Sequence, residues 1–316
     1  MDKHNYIGID LGGTKISGIL TDADGVEKAK KIVPTDAHEG EVAVLNRIID
    51  LIDSLIKSAE VTADQVAGIG IGSPGAMDIE KGILIQTANL PFTDFNLVAP
   101  IKEKLGIHTY LDNDANVAAL AEYTFGAGQG SQNMIFITVS TGIGGGAVLN
   151  GKFYRGSTCN GLEVGHISVE KDGLPCKCGN IGCTELYASG TAIAKAGQDA
   201  VAAGKETSLR ACEKITAYEV FEAAKAGDKV ANEVLDVALD YLGVCVANTA
   251  AIFDPDVIVI GGGVAQAGDI VFDHVRKVVT SRCLKPVAKH TKILPAELGS
   301  DAGVIGAVAL AIMESK

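Results

Sequence analysis

The segment GLPCKCGNIGCTE, residues 173–185, places three cysteines within eight positions. Thiolates at such short spacing are typical metal ligands in proteins. A four-coordinate metal needs one more ligand than this segment supplies, so the fourth would have to come from elsewhere in the chain. The alternative is a set of free thiols, which the close spacing makes the weaker interpretation. The segment therefore predicts a metal site with one ligand still to be identified.

Three glycine-rich turns follow apolar segments with the pattern of β-strands. They are DLGGTK at residues 10–15, STGIGGG at 140–146 and IGGGV at 260–264. Glycine lets the backbone approach an anion, and successive N–H groups can donate to it. None of the turns has the spacing of a P-loop or of a dinucleotide-binding GxGxxG motif. Any one of them alone is better explained as a plain β-hairpin, but three in one chain favour phosphate or nucleotide contacts. Asp10, beside the first turn, could hold Mg²⁺ directly or through water.

A polar cluster in LDNDANVAALAE, residues 111–122, lies where a predicted strand meets a predicted helix. Its members are Asp112, Asn113, Asp114 and Asn116. Asp and Asn are expected at such a junction as helix caps, because they satisfy free N–H groups. An ionised carboxylate near a helix N-terminus could equally accept a proton from a substrate hydroxyl as a general base. Asn113 could donate to and accept from the same hydroxyl. The residue types leave the cap and the catalytic site equally open.

The elements around these motifs alternate between strands and helices. Residues 39–59 place Val42, Leu45, Ile49, Ile52 and Ile56 on one face of a predicted helix. The strand–glycine turn–strand pattern of the N-terminus returns at residues 134–153, so the sequence predicts two α/β halves that each open with a hairpin. Residues 216–253 are predicted to be mainly helical. The segment SDAGVIGAVALAIME, residues 300–314, predicts a helix of small residues suited to close packing.

The composition favours a soluble globular protein of one large or two medium domains. The chain has 316 residues, 47% hydrophobic and 21% charged, with a formal net charge of −12. An acidic balance argues against a nucleic-acid surface or an anionic membrane as the main partner. The N-terminus lacks the apolar region of a signal peptide, so we expect a cytoplasmic protein whose seven cysteines are thiols or metal ligands rather than disulfides.

Taken together, the motifs resemble the ROK family of sugar kinases and sugar-responsive regulators. DLGGTK, SPGAMD, LDNDAN, STGIGGG, EVGH with CKCGNIGCTE, and IGGGV occur in this order over about residues 5–312. The cysteine motif preceded by ExGH is the most specific of them. The resemblance implies a two-lobed actin/hexokinase-like (ribonuclease H-like) α/β fold with the active site in the cleft. Residues 1–116 would form the small lobe, with a helix at 302–316 packing back on it, and residues 117–301 the large lobe with the zinc site and the adenosine motif.

The resemblance also implies roles for individual residues. The ATP-binding residues would be Asp10, Gly12, Gly13, Thr14 and Lys15 in the first phosphate motif, Thr141, Gly142 and Gly144 in the second, and Gly261, Gly262 and Gly263 in the adenosine motif. Asp114 would be the catalytic base. The sugar would contact Gly75, Asn89, Asn113, Asp114, Glu163, His166 and Glu185. Leu162 stands where many members of the family have glycine, which leaves the detailed sugar specificity open.

His166 is the fourth metal ligand that the resemblance implies, beside Cys176, Cys178 and Cys183. A closed Cys₃His set is typical of a structural zinc site. Such a zinc would fix the loops that carry Glu163 and Glu185 and so prepare them for the sugar. One ring nitrogen of His166 would bind zinc, and the other would face a sugar hydroxyl.

The implied function is ATP-dependent phosphorylation of a hexose, with glucose as the first candidate substrate and O6 as the position phosphorylated. The implied cofactors are ATP, Mg²⁺ and a structural zinc. The resemblance further implies a homodimer with no nucleic-acid or membrane partner. Kinases for N-acetylmannosamine, N-acetylglucosamine, fructose or allose remain alternatives. A non-catalytic sugar-sensing regulator is another alternative, which the predicted first strand near Tyr6 disfavours because it leaves no room for an N-terminal DNA-binding domain.

Overall fold

The computed structural model describes residues 4–87 and 89–315, which divide into two compact units. The first unit comprises the described residues of Met1–Gln129, Arg155–Cys159 and Leu298–Lys316, and the second comprises Gly130–Tyr154 and Asn160–Glu297. The sequence placed the boundary after residue 116, whereas the chain first passes to the second unit after Gln129. The whole of the helix that begins at Asp114 therefore belongs to the first unit.

Eight strands and three of the helices of the first unit precede residue 130. The strands are β1 (Asn5–Leu11), β2 (Lys15–Asp22), β3 (Glu27–Pro34), β4 (Val66–Ser73), β5 (Ala76–Asp78), β6 (Ile83–Gln86), β7 (Thr93–Asn96) and β8 (Thr109–Asn113). The helices are α1 (Glu41–Ser58), α2 (Val98–Leu105) and α3 (Asp114–Phe125). One sheet has the order β3-β2-β1-β4-β8, and β5, β6 and β7 form a small antiparallel sheet.

Helix α1 packs on the sheet through an apolar face close to the predicted one. Its buried side chains include Leu45, Ile49, Ile52 and Ile56, as the periodicity indicates. Val42, which was predicted on the same face, is 60% exposed instead. It lies in the first turn of the helix, where a residue can fall outside the face that the later turns bury.

The second unit repeats this architecture with five strands and six helices over residues that the structure describes throughout. The strands are β9 (Met134–Val139), β10 (Ile143–Leu149), β11 (Lys152–Tyr154), β12 (Val257–Gly261) and β13 (Lys292–Pro295). The helices are α4 (Glu185–Ala188), α5 (Gly190–Ala202), α6 (Ala217–Lys225), α7 (Lys229–Phe253), α8 (Asp269–Arg282) and α9 (Lys285–His290). Among the described residues, α7 is long and apolar enough to cross a membrane, but more than half of that stretch is buried against the core of its own unit, as in the central helix of a globular domain.

The two large sheets correspond strand for strand. The second sheet has the order β11-β10-β9-β12-β13. In both sheets a hairpin, β1–β2 or β9–β10, extends to a third antiparallel strand on one side. Two parallel strands, β4 and β8 or β12 and β13, follow on the other side. The duplicated α/β architecture predicted from the repeated hairpin is confirmed.

The last helix, α10 (Ala302–Glu314), packs in the first unit against β1, β4 and α3. Glycines let the backbones come close: a Cβ on Gly70 would lie 1.9 Å from the carbonyl oxygen of Ala307, and one on Gly306 would lie 1.8 Å from that of Val117. The small residues of the C-terminal segment therefore serve the close packing that the sequence predicts.

Candidate active site and metal centre

The first glycine turn joins β1 to β2 in the first unit. The N–H of Gly12 donates to the carbonyl of Lys15 at 3.0 Å, which closes the turn. Thr35, at the end of β3, donates its hydroxyl to the carbonyl of Gly12 at 2.6 Å and its N–H to that of Thr14 at 3.0 Å. Thr14 and Lys15 remain exposed, so the turn presents polar groups to solvent while Thr35 holds it from behind. The supporting role of Thr35 carries no signal in the sequence.

Two of the predicted sugar residues lie near this turn. A Cβ on Gly13 would lie 2.9 Å from the Cβ of Asn89, so the turn and the segment carrying Asn89 are in contact. Gly75 has a φ of +106°, and a Cβ there would lie 2.4 Å from the carbonyl oxygen of Gln86. Glycine at position 75 therefore permits both the backbone conformation and the close approach of the segment that leads to Asn89.

The carboxylates of Asp10 and Asp114 influence each other in the first unit. Burial and the charge of Asp114 together raise the pKa of Asp10, although Lys15 opposes the effect. Asp114 is accessible to solvent, but the protein around it removes part of its hydration and raises its pKa against the hydrogen bond from the N–H of Ala115. Gly303 of α10 lies against Asp10, since a Cβ there would be 2.9 Å from its carboxyl carbon. The pair is a carboxylate site that favours either a proton or a cation.

Asn113 and Asp114 begin helix α3. Asn113 is the N-cap, and its side-chain oxygen accepts from the N–H of Ala115 at 2.9 Å. The Asp114 carboxylate accepts from the same N–H at 2.8 Å. The cap and the candidate base, which the residue types left open, therefore coexist: Asn113 performs the capping, and Asp114 sits in the first turn with an accessible carboxylate.

The second glycine turn, between β9 and β10, is fixed by residues at the start of α4 and α5. Glu185 accepts from the N–H of Ile143 at 2.9 Å, and a Cβ on Gly142 would lie 2.4 Å from the same carboxylate oxygen. Gly190 donates its N–H to the carbonyl of Ser140 at 2.7 Å, and Thr191 donates its hydroxyl to that of Thr141 at 2.8 Å. The structure thus brings the predicted sugar residue Glu185 into direct contact with the predicted phosphate turn.

The third turn lies beside the second. Gly262 has a φ of +87°, and a Cβ there would lie 2.4 Å from the carbonyl oxygen of Val139. The nearest atom to a Cβ on Gly263 is the hydroxyl of Ser140, at 4.0 Å. Because β12 and β9 are parallel neighbours, their carboxyl ends carry the two turns to the same edge of the sheet.

A cavity of about 780 Å³ opens beside these two turns within the second unit. Its lining includes Ser140 and Thr141, Gly263 and Val264, and side chains of α5 and α6 such as Gln198 and Tyr218. This volume is in the range of pockets that hold nucleotide-sized ligands. The residues from α5 and α6 were not identified from the sequence, because nothing in their own pattern marks them apart from the helices that they form.

The predicted metal ligands lie together. The ligand atoms of His166, Cys176, Cys178 and Cys183 are all within 4.8 Å of one another. The Sγ of Cys178 is 3.6 Å from that of Cys183, and the Sγ of Cys176 is 3.7 Å from Nδ1 of His166. Zinc–sulfur bonds of about 2.3 Å in a tetrahedron imply sulfur separations of this size. The donor set and its spacing therefore fit a structural zinc ion.

Hydrogen bonds within the loop hold the cysteines close to one another and to His166. The N–H of Cys176 donates to the carbonyl of Asn180 at 2.8 Å, and the Asn180 amide donates to the carbonyl of His166 at 3.0 Å. Hydrogen bonds, first that from the N–H of Asn180, lower the pKa of the Cys178 thiol, whereas burial and the neighbouring thiols raise that of Cys183 to about 12. Metal binding at the cluster would therefore displace a proton from Cys183.

Glu163 directly precedes the short turn that carries His166. Its side chain is exposed, and its carbonyl accepts from the N–H of His166 at 3.0 Å. Leu162 has a φ of +63°, which is unusual for a residue other than glycine, and its side chain is packed into the core of the unit. Apolar burial thus holds the backbone of Leu162 in a left-handed conformation next to Glu163.

Each unit carries one set of the predicted residues. The first unit holds Asp10, the first turn, Gly75, Asn89, Asn113 and Asp114, and the second unit holds the other two turns, Glu163, His166, Glu185 and the cysteines. The fold and these sites define a duplicated α/β protein with three glycine turns, an accessible carboxylate and a Cys₃His cluster whose geometry fits a metal ion.

The chain belongs to the ROK family, whose model matches residues 6–314. It is 38% identical to a glucokinase of Halalkalibacterium halodurans over 97% of this chain and 94% of that one. Its structure is similar to that of the ROK hexokinase from Thermus thermophilus, with a TM-score of 0.84, 33% identity and 98% of each chain covered. It is also similar to a ROK family glucokinase from Streptomyces griseus in complex with glucose and AMPPNP, with a TM-score of 0.76, 33% identity and coverage of 98% and 99%.

The chain is also similar to a repressor. A xylose repressor of Caldicellulosiruptor bescii is 31% identical over 99% of this chain and 79% of its own length. Similarity at this level therefore extends both to enzymes and to repressors.

Proposed function

We propose that this protein is an ATP-dependent hexose kinase that converts glucose to glucose 6-phosphate. The observation that carries the proposal is Asp114, an accessible carboxylate with a raised pKa at the start of α3. A raised pKa makes Asp114 a stronger base than a fully hydrated aspartate, which suits it to receive a hydroxyl proton. Full-length similarity to glucokinases supports the same reaction.

In the proposed reaction Asp114 takes the proton of the glucose 6-hydroxyl as its oxygen attacks the γ-phosphorus of ATP. The new O–P bond forms while the bond between the γ-phosphorus and the β–γ bridging oxygen breaks, and ADP leaves with the bridging oxygen. Most of the rate gain comes from alignment and from stabilisation of charge on the transferred group.

We assign ATP to the three glycine turns. Gly263 borders the cavity of the second unit, which would receive the adenosine, and Gly261 and Gly262 directly precede it in the third turn. The N–H groups of the first and second turns would donate to the phosphates, and Lys15 would add a positive charge. Asp10 is the residue that would hold Mg²⁺, because two close carboxylates with raised pKa values favour a cation. When bound, Mg²⁺ neutralises charge on the phosphate oxygens.

The sugar is assigned to Glu163, His166, Glu185 and Asn113, with Gly75 and Asn89 completing the set. Because the cap engages the side-chain oxygen of Asn113, its amide N–H₂ is the group for a sugar hydroxyl. His166 turns Nδ1 toward Cys176, which leaves Nε2 for the sugar. The zinc is structural in this proposal: Cys176, Cys178, Cys183 and His166 hold it, and it holds the Glu163 loop.

Two alternatives share the same residues. A kinase for another hexose would keep the Asp114 chemistry and change only the contacts around the ring. A sugar-sensing regulator is favoured by the similarity to a xylose repressor, but that similarity is 31% identity over 79% of the repressor, against 38% identity over 94% of the Halalkalibacterium halodurans glucokinase. We further propose that the enzyme acts as a homodimer in the cytoplasm, where ATP is available.

The direct test is a coupled ADP-release assay with glucose and ATP, followed by phosphorus NMR of the product. We expect turnover and a single hexose 6-phosphate. Glucose binding by calorimetry without any turnover would favour the regulator. Turnover with another hexose but not with glucose would favour the second alternative.

A further inference from the structure

Asp112 is a buried carboxylate that the proposed reaction does not use directly. Its side chain is 0% exposed. One oxygen accepts from the N–H of Asn113 at 2.8 Å and from the Asn116 amide at 2.8 Å, and the other accepts from Nε of Arg155 at 2.6 Å. The Asn113 contact is made at the residue immediately before Asp114, so Asp112 supports the candidate base from behind.

Arg155 reaches Asp112 from a short segment after β11. That segment, Arg155–Cys159, belongs to the first unit although the residues on both sides of it belong to the second. A terminal nitrogen of Arg155 also donates to Glu314, at the end of α10, at 2.8 Å. The guanidinium thus connects β8, the strand that leads directly into α3 and Asp114, with the last helix.

The contact with Arg155 decides where the Asp112 carboxylate lies. A buried carboxylate that loses its paired charge is strongly destabilised, because its burial is then uncompensated. Without the guanidinium, the carboxylate would move from its present position toward water. The N–H of Asn113 and the amide of Asn116 would then lose their shared acceptor, and the start of α3 would lose its fixed geometry.

We propose that Arg155 is a positioning residue for phosphoryl transfer. It holds the Asp112 carboxylate in place through a 2.6 Å contact, and Asp112 in turn holds Asn113 and Asp114 where the sugar hydroxyl must be met. The inference rests on the proposed function, because Arg155 affects turnover only through the position of Asp114, the proposed base. Arg155 acts on the turnover step and not on the binding of ATP.

The test compares Arg155→Met, Asp112→Asn and the double variant in steady-state assays with glucose and ATP. We expect Arg155→Met to lower kcat by at least about tenfold, since small displacements of a catalytic group have effects of this size. The KM for ATP should stay within about twofold of wild type, because the residues that Arg155 contacts, Asp112 and Glu314, lie outside the glycine turns assigned to ATP. The double variant should exceed Arg155→Met in kcat by at least about threefold, because the uncompensated charge is gone and the amide oxygen introduced at position 112 can still accept from the N–H of Asn113.

Arg276→Met is the matched control. Arg276 also pairs with an aspartate, Asp273, and donates to the carbonyl of Ile293, but it lies in α8 of the second unit. We expect its removal to leave kcat unchanged. If Arg155→Met does not fold, Glu314→Gln removes one of the two acidic partners of Arg155 and leaves the contact with Asp112. We expect a smaller loss of kcat at an unchanged KM for ATP.

Several outcomes would overturn the proposal. They are a wild-type kcat in Arg155→Met or, where that variant does not fold, in Glu314→Gln; a loss confined to KM; or a double variant no better than Arg155→Met. Failure of the proposed function looks different: the wild-type protein would turn over no hexose, or Asp114→Asn would keep full turnover, whatever Arg155 does.

Discussion

At the scale of single residues, the start of α3 combines a helix cap, Asn113, with the candidate base, Asp114, at adjacent positions. Asn113 caps α3 with its oxygen, and Asp114, in the first turn, accepts from the same N–H through one carboxylate oxygen while its side chain stays accessible to a ligand. The helix N-terminus favours the ionised form of Asp114, while the loss of hydration raises its pKa. The result is a carboxylate that is both positioned and basic.

Asp114→Asn tests the base. We expect kcat to fall at least about 100-fold, the lower end of general-base contributions. Binding of glucose and ATP should survive, because Asn keeps the acceptor for the N–H of Ala115. Steady-state kinetics with calorimetry measures both. Asp24→Asn, at an exposed turn between β2 and β3, is the matched control and should behave as wild type. If both variants phosphorylate glucose at the same rate, Asp114 has only a structural role at the start of α3 and is not the base.

The same substitution has a second consequence, for stability. The pKa of Asp114 is raised in the folded chain above the ordinary value of 3.8, so the folded state holds this proton to a higher pH than the unfolded state does. The resulting stabilisation is complete below 3.8 and is lost as the pH rises through the raised pKa, so at neutral pH the ionised carboxylate opposes folding.

Thermal unfolding of wild type and Asp114→Asn over a pH series checks this sign. We expect the variant to be the more stable protein at pH 7, with a difference that shrinks as the pH falls toward 3.8. Asp24→Asn should show no such trend. A variant that is less stable than wild type at neutral pH would contradict the assignment.

At the scale of elements, sequence patterns predicted the repeated hairpin and the residues whose type and spacing suit metal binding. The hairpin motif was recognisable twice because its alternating apolar residues and glycines occur twice. The three cysteine ligands were recognisable because thiols at such spacing have few other uses, and His166 was recognisable through the resemblance of the EVGH motif to the family. Thr35 behind the first turn and the α5 and α6 residues of the cavity were not, because a threonine or a helical polar residue gains its role only from what the fold places beside it.

Cys178→Ser tests the metal centre as an element. We expect the purified wild-type protein to contain one tightly held zinc per chain and the variant to lose it. Because the metal would fix the loop of Glu163, the variant should also bind glucose more weakly. Elemental analysis and calorimetry measure the two effects. Cys212→Ser, outside the cluster, should keep both the zinc and the affinity; a folded wild-type protein without zinc would refute the assignment.

Gly306→Ala tests the packing of α10. Alanine favours a helix over glycine by about 1 kcal/mol, but here its Cβ would lie 1.8 Å from the carbonyl oxygen of Val117 in α3. Overpacking costs about 1–3 kcal/mol, and a backbone atom in a helix yields less than a flexible side chain. We expect a net loss of about 1–2 kcal/mol in urea unfolding, from these opposing effects. Gly263→Ala, whose nearest neighbour would be 4.0 Å away, should not lower stability.

At the scale of the whole molecule, duplication explains why the functional residues are divided between two units. In each sheet a glycine turn joins the two strands of the central hairpin, and the parallel strand beside the hairpin ends at the same edge as that turn. In the first unit this parallel strand is β4; its own parallel neighbour β8 ends at the same edge and is followed by Asp114. In the second unit the parallel strand is β12, which is followed by the third turn. The sequence boundary at residue 116 was drawn at the motif, whereas α3 completes the first unit because it packs on α10.

The choice of sugar is the property of the whole protein that most needs measurement. Glu163, His166 and Glu185 would bind ring hydroxyls near the anomeric carbon, and a site built to hydrogen-bond a hydroxyl strongly penalises its loss or replacement. Leu162 is packed into the core with its backbone in a left-handed conformation, so the loop that carries Leu162 and Glu163 has little freedom to widen for a 2-acetamido group.

We therefore expect glucose to have a higher kcat/KM than N-acetylmannosamine, N-acetylglucosamine or fructose. Mannose, which differs from glucose in the orientation of one hydroxyl, should be the nearest competitor. A hexose panel in the ADP-release assay decides the order, with allose included; an N-acetylated sugar that outperforms glucose would overturn the substrate and leave the role of Asp114 intact.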